Sequence, residues 1–534
     1  METLCRQNRL LTEERGVVRA PFLVKGQLIL PPQMTRAEIE SAFASAAPET
    51  RYLKLPRAQL LREPVIDRAA ADYSADFLYQ VLPPLDPLDL IETDIEKLVA
   101  GPYALSVNQV ADFTQTICET LARNALTLDR VRGYCRLTMD HPAPFIDGAF
   151  AALQTAFNRE GALAMMDNEL SAWRRPGRDF LDGWVDLPSQ PLPGLTPLLA
   201  RALPSASLAP EFSPGATSIR AMPTRQLHIT AGNAPEVPLV SALRLILSKS
   251  VGAVKLPFGV TLPGALLALA AYVAAPTHPL TQNLSIVYWQ GGDEGVENIL
   301  FTPGAFDRIV VWGAPEAVTS VHARAAFTKV VSFNPRYGVS LIGREAFANN
   351  LDEVAFAAAM DTMIYSQKAC AASQVHYVEG DEEQARAYGQ RVSGFLREWD
   401  AAAPAFVAPA QRGQWKRLRR GKYARAEWLV NEKDGRPVSS VIVMPDEFDI
   451  LDHPMCRLVV VRRVDRLEDA LRYLHQGVST AGVYPEARRL ALRDAIAARG
   501  VSNILPLGQC ERVFSGAPHD GMLVLSELVD WKNA

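Results

Sequence analysis

The sequence predicts an α/β protein built on a parallel sheet with helices on both faces. Three observations carry that expectation. From Gln226 to about Ser340, short β-branched runs alternate with helical runs, the pattern of strands joined by crossover helices. The chain has 534 residues, more than one hydrophobic core usually spans, so two or three lobes are expected. Apolar content of 48% and charged content of 21% describe an ordinary globular protein able to fill such cores.

Taken in order, residues 1–60 mix β-like runs at Phe22-Leu23-Val24 and Gln27 to Leu30 with turns and a short helix near Arg36–Ala46. Residues 61–200 read as mostly helical, with proline-rich joints at Leu82–Pro87 and Leu187–Pro197. The acidic groups between Asp89 and Glu96 read as helix caps and solvated faces rather than a metal site. Residues 203–224, rich in Pro, Ser and Ala, read as a connector or extended arm.

Strands are then expected at Leu227–Thr230, Ala253–Leu256, Leu284–Trp289, Arg308–Trp312, Val330–Phe333 and Val339–Ile342. Helices are expected near Val237–Lys249, Pro263–Ala275, Glu294–Leu300 and Glu316–Phe327. Parallel sheets of this kind take ligands outside the carboxyl ends of their strands. Two loops fall there: Ala231–Pro235 and Trp312–Glu316. Further on come helices at Leu351–Ile364 and Glu382–Glu398, and a basic stretch from Arg412 to Arg425 that reads as a solvated surface loop. Strands and helices resume at Ser439–Met444, Arg457–Val461, Glu468–Gln476 and Pro485–Ala498, and Met522–Leu525 has strand character.

Composition excludes several classes. Net charge of −4 offers no general attraction for DNA or RNA, so no nucleic-acid partner is expected. Six cysteines (5, 118, 135, 370, 456 and 510) stand far apart with no CxxC pair, which suggests neither a zinc site nor a disulfide framework. Reduced thiols in a cytoplasmic protein are the expected state. The N-terminal residues lack the apolar core of a signal peptide, and the longest apolar run, Leu262–Pro276, is too short to span a bilayer and reads as a buried helix.

One stretch points to chemistry. Asp361 to Glu379 places Cys370 among small and polar residues between a helical run and the β-like run Gln374–Glu379. A cysteine at such a junction can face a cleft with backbone N–H groups nearby, conditions that lower a thiol pKa and make a nucleophile. Read alone, the stretch fits a buried structural cysteine better, because free cysteine is among the most buried residue types.

Several motifs then fit one family together. Gly232-Asn233-Ala234-Pro235 resembles the Asn-x-Pro turn of the aldehyde dehydrogenase superfamily, and Ser250 to Pro257 resembles its strand ending in Lys-Pro. Val311 to Val318 resembles the Phe-Thr-Gly-Ser turn that opens a helix beneath the cofactor, and Gln367-Lys368-Ala369-Cys370 resembles the nucleophile segment. With His519-Asp520-Gly521 and Leu525–Trp531, the chain from about Gln226 onward resembles the LuxC family of acyl-CoA reductases within that superfamily.

The resemblance implies an aldehyde dehydrogenase-like α/β fold with a Rossmann-like cofactor domain, an α/β catalytic domain and a small oligomerisation arm and strand. It implies a division into 1–205 (N-terminal part of the cofactor domain), 206–225 (arm), 226–350 (cofactor domain), 351–515 (catalytic domain) and 516–534 (C-terminal oligomerisation strand). It implies Cys370 as nucleophile and Asn233 as oxyanion donor, with Lys255, Phe258, Trp312, Gly313, Ala314 and Val318 at the cofactor and no metal. The implied reaction is reduction of a long-chain fatty acyl-CoA or acyl-carrier thioester to the aldehyde.

Two departures refine the implication. Where hydrolytic members carry a general-base glutamate in a Glu-Leu-Gly-Gly segment, this chain has Ser332-Phe333-Asn334-Pro335-Arg336. An acyl-enzyme without that base survives to await hydride or thiol. Three residues after Lys255, where NAD-selective members often have Glu, stands Phe258. NADPH is therefore the expected cofactor, with NADH admitted. The competing readings are an aldehyde dehydrogenase running toward acid and a non-catalytic acyl-binding subunit. An acyl-activating synthetase is an expected partner, and a homodimer or higher homo-oligomer is expected through residues 210–225 and 521–530. His376 reads as a core or surface histidine; for His519 a site-lining and a structural role stay equally open.

Overall fold

The computed structural model describes residues 1–44, 52–56, 77–139, 141–170, 177–186, 202, 217–325, 327–404, 407, 409–444, 447–512 and 516–534. Two seven-stranded sheets dominate it. The first contains β1 (Phe22–Val24), β2 (Gln27–Ile29), β3 (Arg225–Ile229), β4 (Val251–Lys255), β5 (Leu284–Val287), β6 (Arg308–Trp312) and β7 (Lys329–Phe333). Their order is β7-β6-β3-β4-β5-β1-β2. The five strands from β7 to β5 are mutually parallel, and the β1–β2 hairpin closes one edge antiparallel. From β3 the chain winds outward through β4 and β5, then returns to lay β6 and β7 on the other side. The strand order therefore reverses between β3 and β6, and the loops leaving those two strands face one crevice.

Helices α1 (Val237–Leu247), α2 (Thr261–Ala274), α3 (Glu294–Leu300) and α4 (Pro315–Arg324) make the crossovers. α2 is apolar on every side, and a helix of that kind has to be enclosed. Thr261 to Ala271 are all buried, and the helix packs against two N-terminal helices, Val107–Arg123 and Ala125–Thr138. Each of its buried leucines contributes about 2 kcal/mol relative to exposure. These N-terminal helices thus cover a sheet whose parallel strands all come after them in the chain. Its longest helix is set by a capping box: the Ser106 hydroxyl accepts from Gln109 N (3.2 Å) and the Gln109 side chain accepts from Ser106 N (2.8 Å).

The second sheet contains β8 (Tyr337–Ile342), β9 (Ser373–Glu379), β10 (Glu427–Lys433), β11 (Arg436–Met444), β12 (Leu458–Val464), β13 (Val478–Tyr484) and β14 (Asn503–Pro506). Its order is β10-β11-β12-β9-β8-β13-β14, parallel except for the β10–β11 hairpin. Helices α5 (Leu351–Met363), α6 (Glu382–Ala402), α7 (Pro409–Arg420) and α8 (Glu486–Ala497) accompany it. The chain passes from one sheet to the other through Asn334-Pro335-Arg336, between β7 and β8.

Two three-stranded sheets complete the described fold. One joins Val17–Arg19, Phe77–Val81 and Tyr52–Pro56; the other joins Asp530–Asn533, Ser218–Met222 and Val185–Asp186. Among the described residues no helix is long and apolar enough to cross a membrane.

Two expectations are corrected. The basic stretch is not a loop: most of it is α7, anchored by Trp415, which is buried while the arginines around it are not. The expected strand at Met522–Leu525 is instead the short helix α9 (Val524–Leu528), because Val524, Leu525 and Leu528 share one helical face and fill the main core. The strand follows it, at Asp530–Asn533. The stretch 61–200 is mostly helical among the described residues, as expected, with one strand, Phe77–Val81, that pairs on both sides. The joint at 187–197 and the connector residues 203–216 lie outside the described residues.

Candidate active site

The segment before Cys370 has an unusual backbone. α5 ends at Met363, and Tyr365, Ser366 and Gln367 then take left-handed φ values of 46°, 52° and 66°. Three consecutive left-handed residues other than glycine cost about 1 kcal/mol each and persist only where neighbours hold them. The Gln367 side chain does this from a buried position. Its Nε2 donates to Ser373 O (3.1 Å) and Leu458 O (2.7 Å), and its Oε1 accepts from Leu458 N (3.0 Å). The turn is thereby tied to the first residue of β12. The Tyr365 hydroxyl donates to Glu236 Oε1 (2.8 Å), linking the same turn to the entrance of α1. Below it, Gly338 on β8 lets the loop descend: a Cβ there would stand 2.3 Å from Ala371 O.

These ties present Cys370 half-buried at the mouth of β9. The Ser479 hydroxyl and the backbone N–H groups of Cys370 and Ala371 favour its thiolate. Burial and the charge of Asp520 act the other way and win, so the thiol pKa is pushed up, burial contributing most. The lowered pKa expected for this junction is not found. The N–H groups are present as anticipated, but desolvation of the sulfur, with a smaller effect from the negative charge of Asp520, resists ionisation more strongly than they promote it.

Asn233 meets this loop from the other sheet. Its Nδ2 donates to Lys368 O (3.3 Å), two residues before Cys370, while its own carbonyl stands 2.7 Å from His141 Nε2. His141 lies edge-on to Tyr365, with ring centroids 5.0 Å apart. Phe145 packs tilted against Tyr365 and Trp399, at 5.5 and 6.0 Å, giving an aromatic wall on the Cys370 side.

The crevice at the strand ends collects the other candidates. Lys255 is the last residue of β4. Its amine is buried, 5.9 Å from the Tyr288 ring centroid and 5.8 Å from that of Trp289, and makes no hydrogen bond or ion pair among the described residues. Burial lowers its pKa, partly offset by Glu297, whose carboxylate is engaged by Arg324, Trp289 Nε1 and Gly292 N. A buried ammonium without an acceptor suits a polar ligand that supplies one. Phe258, 55% exposed, sits in the following loop, whose backbone lies against Gly232. Trp312 ends β6 and stacks on Phe333 at 3.6 Å, Gly313 is half-buried, and Ala314 is exposed at the start of α4. Val318 is buried in the core beneath, so it supports this turn from behind.

Sequence reading missed several neighbours. Ser479 comes from β13, a strand it did not foresee. Asp520 and Gly521 have φ of 50° and 81°, and His519 and Met522 exchange two backbone hydrogen bonds of 2.9 Å, making a tight two-residue turn. Asp-Gly is the dipeptide such a turn favours, and that was the legible signal. His519 packs edge-on to Trp312 and Phe333, at 5.1 and 5.0 Å, and burial lowers its pKa to about 3, so it is a neutral wall of the crevice. His376 is a core histidine, bonded to the Thr362 and Tyr388 hydroxyls and held neutral. No group of His, Cys, Asp and Glu among the described residues could hold a metal.

This geometry joins two sheets at one crevice, and known proteins share the arrangement. Aldehyde dehydrogenase 21 (ALDH21) from Physcomitrella patens, in complex with the reaction product succinate, matches with a TM-score of 0.67 at 11% identity over 97% of this chain and 98% of its own. The NADP-dependent glyceraldehyde-3-phosphate dehydrogenase of Bacillus halodurans C-125, complexed with NADP, matches with a TM-score of 0.65 at 12% identity over 97% and 98%. Likeness at such identity is likeness of fold, and the fold is aldehyde dehydrogenase-like. In sequence, the chain is 26% identical over 363 residues to the long-chain acyl-protein thioester reductase of Photorhabdus laumondii, covering 65% of this chain and 72% of that protein. A family model described as acyl-CoA reductase (LuxC) matches residues 193–531, well over half of the chain, a span that holds Asn233, Lys255, Cys370 and Asp520 but not His141 or Phe145. The chain is an oxidoreductase of aldehyde dehydrogenase-like fold and belongs to the acyl-CoA reductase (LuxC) family.

Proposed function

We propose that this protein reduces a long-chain fatty acyl thioester, acyl-CoA or acyl-protein, to the aldehyde through an acyl-enzyme on Cys370, with NADPH as reductant. The observation that carries the proposal is the meeting of Asn233 and the Cys370 loop across the two sheets, 3.3 Å from Nδ2 to Lys368 O. That contact brings an amide donor to the mouth of the loop that holds the sulfur.

The Cys370 sulfur attacks the thioester carbonyl, and the new tetrahedral oxyanion accepts from the Asn233 amide and the Cys370 N–H. One such donor contributes about 3–4 kcal/mol to the transition state. Collapse expels the donor thiol and leaves the acyl group on Cys370. At the loop after β7, Asn334 offers no carboxylate to activate water, which favours a long-lived acyl-enzyme. The aromatic wall of His141, Phe145, Tyr365 and Trp399 supplies apolar surface beside it.

On the other side, Lys255, Trp312, Gly313 and Ala314 form the cradle for a nicotinamide cofactor, and the buried, acceptor-free Lys255 amine fits its ribose hydroxyls. When bound, that cofactor supplies the hydride that reduces the acyl carbon. Phe258 presents no carboxylate to repel a 2′-phosphate, which supports NADPH over NADH. The first sheet is then the cofactor unit and the second the catalytic unit. The 185–186, 218–222 and 530–533 sheet is proposed as the pairing surface of a homodimer, since its edge strands leave backbone groups for another chain.

The test is to mix purified protein with tetradecanoyl-CoA and NADPH while following cofactor absorbance. Cofactor oxidation with stoichiometric aldehyde supports the proposal. Oxidation of aldehyde to free acid with NADP⁺, and no thioester reduction, would replace it with the dehydrogenase reading.

A further inference from the structure

The helix α7 differs in charge from the chain around it. Between Asp400 and Glu427 there is no acidic residue, and Arg412 to Arg425 holds seven lysines and arginines, in a chain whose net charge is −4. On a helix, residues three, four and seven apart share a face. Gly413, Lys416, Arg417 and Arg420 follow that spacing, and Arg419 flanks them. The opposite side is held, with Trp415 buried and Leu418 half-buried in the core of the second sheet. Lys416, Arg417, Arg419 and Arg420 are therefore turned outward, and all four are exposed. Gly413 and Gly421 floor a shallow hollow lined by Lys416, Arg417 and Arg420.

These four cations make no ion pair among the described residues, whereas other surface arginines of the second unit are matched. Arg386 meets Glu427, Arg391 meets Asp352, Arg463 meets Asp465 and Arg488 meets Glu345. The acids beside the end of α7 are engaged elsewhere. Lys422 Nζ stands 2.6 Å from Asp452 Oδ2 and 3.4 Å from Asp449 Oδ2, and the Tyr423 hydroxyl donates to Asp452 at 2.5 Å.

The same bonds fix a second feature. They pin the turn Ile450–Asp452 against the C-terminal end of α7, and Tyr423 stacks on Phe448 with ring centroids 4.7 Å apart. At the tip of that turn Leu451 is 89% exposed, and Met455 beyond it is 42% exposed. A pinned turn thus holds a leucine out to solvent beside a field of unmatched cations.

We propose that this face docks the protein on an anionic lipid surface, with Lys416, Arg417, Arg419 and Arg420 against headgroup phosphates and Leu451 entering between them. Positive charge and a projecting apolar side chain are the two contributions that such docking combines. A second copy of the chain, placed across a two-fold axis on this face, would set the cations against themselves. An acidic protein would match the charge, but protein interfaces centre on a cluster of aromatic and apolar anchors. Here Trp415 and Tyr423 are buried and Leu451 projects from its turn. Because the whole chain is negative, its other faces are turned away from a negative surface, and the patch sets the orientation as well as the attraction. Docking of this kind is independent of the Cys370 chemistry.

The test is sedimentation of the intact protein with vesicles of phosphatidylcholine alone or of phosphatidylcholine and phosphatidylglycerol in a two-to-one mixture. Binding to the anionic vesicles only, lost in high salt, is expected. Each cation at such a surface is worth about fivefold in affinity, so Lys416→Gln, Arg417→Gln and Arg420→Gln together should weaken binding by ~10²-fold. Leu451→Ser alone should weaken it about tenfold, through loss of the inserted side chain. All four positions are exposed, so both variants should keep the parent's circular dichroism and thermal unfolding. Equal binding to both kinds of vesicle, binding to neither, or unchanged binding by either variant would overturn the proposal. Two competitors separate the remaining sources of negative charge. Release from the vesicles by inorganic phosphate, but not by chloride at equal ionic strength, would assign the hollow to a free phosphate. Retention on immobilised polyglutamate without binding to vesicles would assign the face to an acidic protein. Either result would overturn the lipid assignment.

Discussion

Replacing Gln367 with alanine should cost both stability and turnover, and the structure sets the size. The substitution removes three hydrogen bonds, of 3.1, 2.7 and 3.0 Å, from one buried amide. Two of them serve the carbonyl and the N–H of Leu458. The carbonyl keeps a bond from the His453 ring at 2.9 Å, but the N–H loses the partner that the side chain gave it. One buried donor left unmade costs about 1–3 kcal/mol. The left-handed run at Tyr365, Ser366 and Gln367 also loses its main tie, and a residue in that region holds about 1 kcal/mol of strain. A total of about 2–4 kcal/mol is expected, partly relieved by relaxation of the loop. Relaxation would move Cys370 away from Asn233, so kcat should fall at least tenfold. Urea unfolding followed by tryptophan fluorescence measures the first effect, and acylation by radioactive acyl-CoA the second. A variant as stable as the parent, with full acylation, would show that the turn is held by its own backbone and that the Gln367 tie is incidental.

Three further outcomes follow from the same geometry. Asn233→Ala should lower kcat by about 10²–10³ with a modest change in KM, since its amide acts on the developing oxyanion; an unchanged kcat would place the oxyanion elsewhere. Phe258→Glu should shift the ratio of kcat/KM for NADPH and NADH toward NADH, because a carboxylate in that exposed loop repels a 2′-phosphate; a fixed ratio would mean the loop does not face the ribose. Deleting residues 521–534 removes Val524, Leu525, Leu528 and Val529 from the main core, so it should give aggregated or unfolded protein. Light scattering on the intact chain is the cleaner test of assembly: a dimer at micromolar concentration is expected, and a monodisperse monomer would refute the pairing surface.

Local signals made the first sheet readable. Its strands are short β-branched runs separated by helices with clear apolar faces, and the observed bounds of β3, β6 and α3 fall within two residues of those expected. α2 was legible for the same reason, since a run without charge has nowhere to go but inside. β13 was not legible: Val478 to Tyr484 contains Ser, Thr, Ala and Gly, and it is a strand because β8 and β14 flank it. α9 was misread because four apolar residues in a row do not reveal their period until the core they face is known.

The candidate site divides in the same way. Cys370 and Asn233 sit in turns and Lys255 at a strand end, each with a marked sequence pattern, and the fold brings Asn233 to the Cys370 loop. Ser479, Arg336 and Asp520 converge from β13, the link after β7 and the C-terminal turn, and only the fold makes them neighbours. The raised thiol pKa was hidden because both of its causes, burial first and the charge of Asp520 second, come from the fold. N–H groups near a sulfur can be guessed from a helix-to-strand junction, whereas a carboxylate 150 residues away in the chain cannot.

The central claim is that an acyl group passes through Cys370. Incubating the intact protein and Cys370→Ala with radioactive tetradecanoyl-CoA, without NADPH, tests it most directly. The intact protein should retain one acyl group per chain on the peptide carrying Cys370, released as aldehyde when NADPH is added, and the variant should retain none. Equal labelling of the variant, or label that NADPH does not convert to aldehyde, would contradict the account.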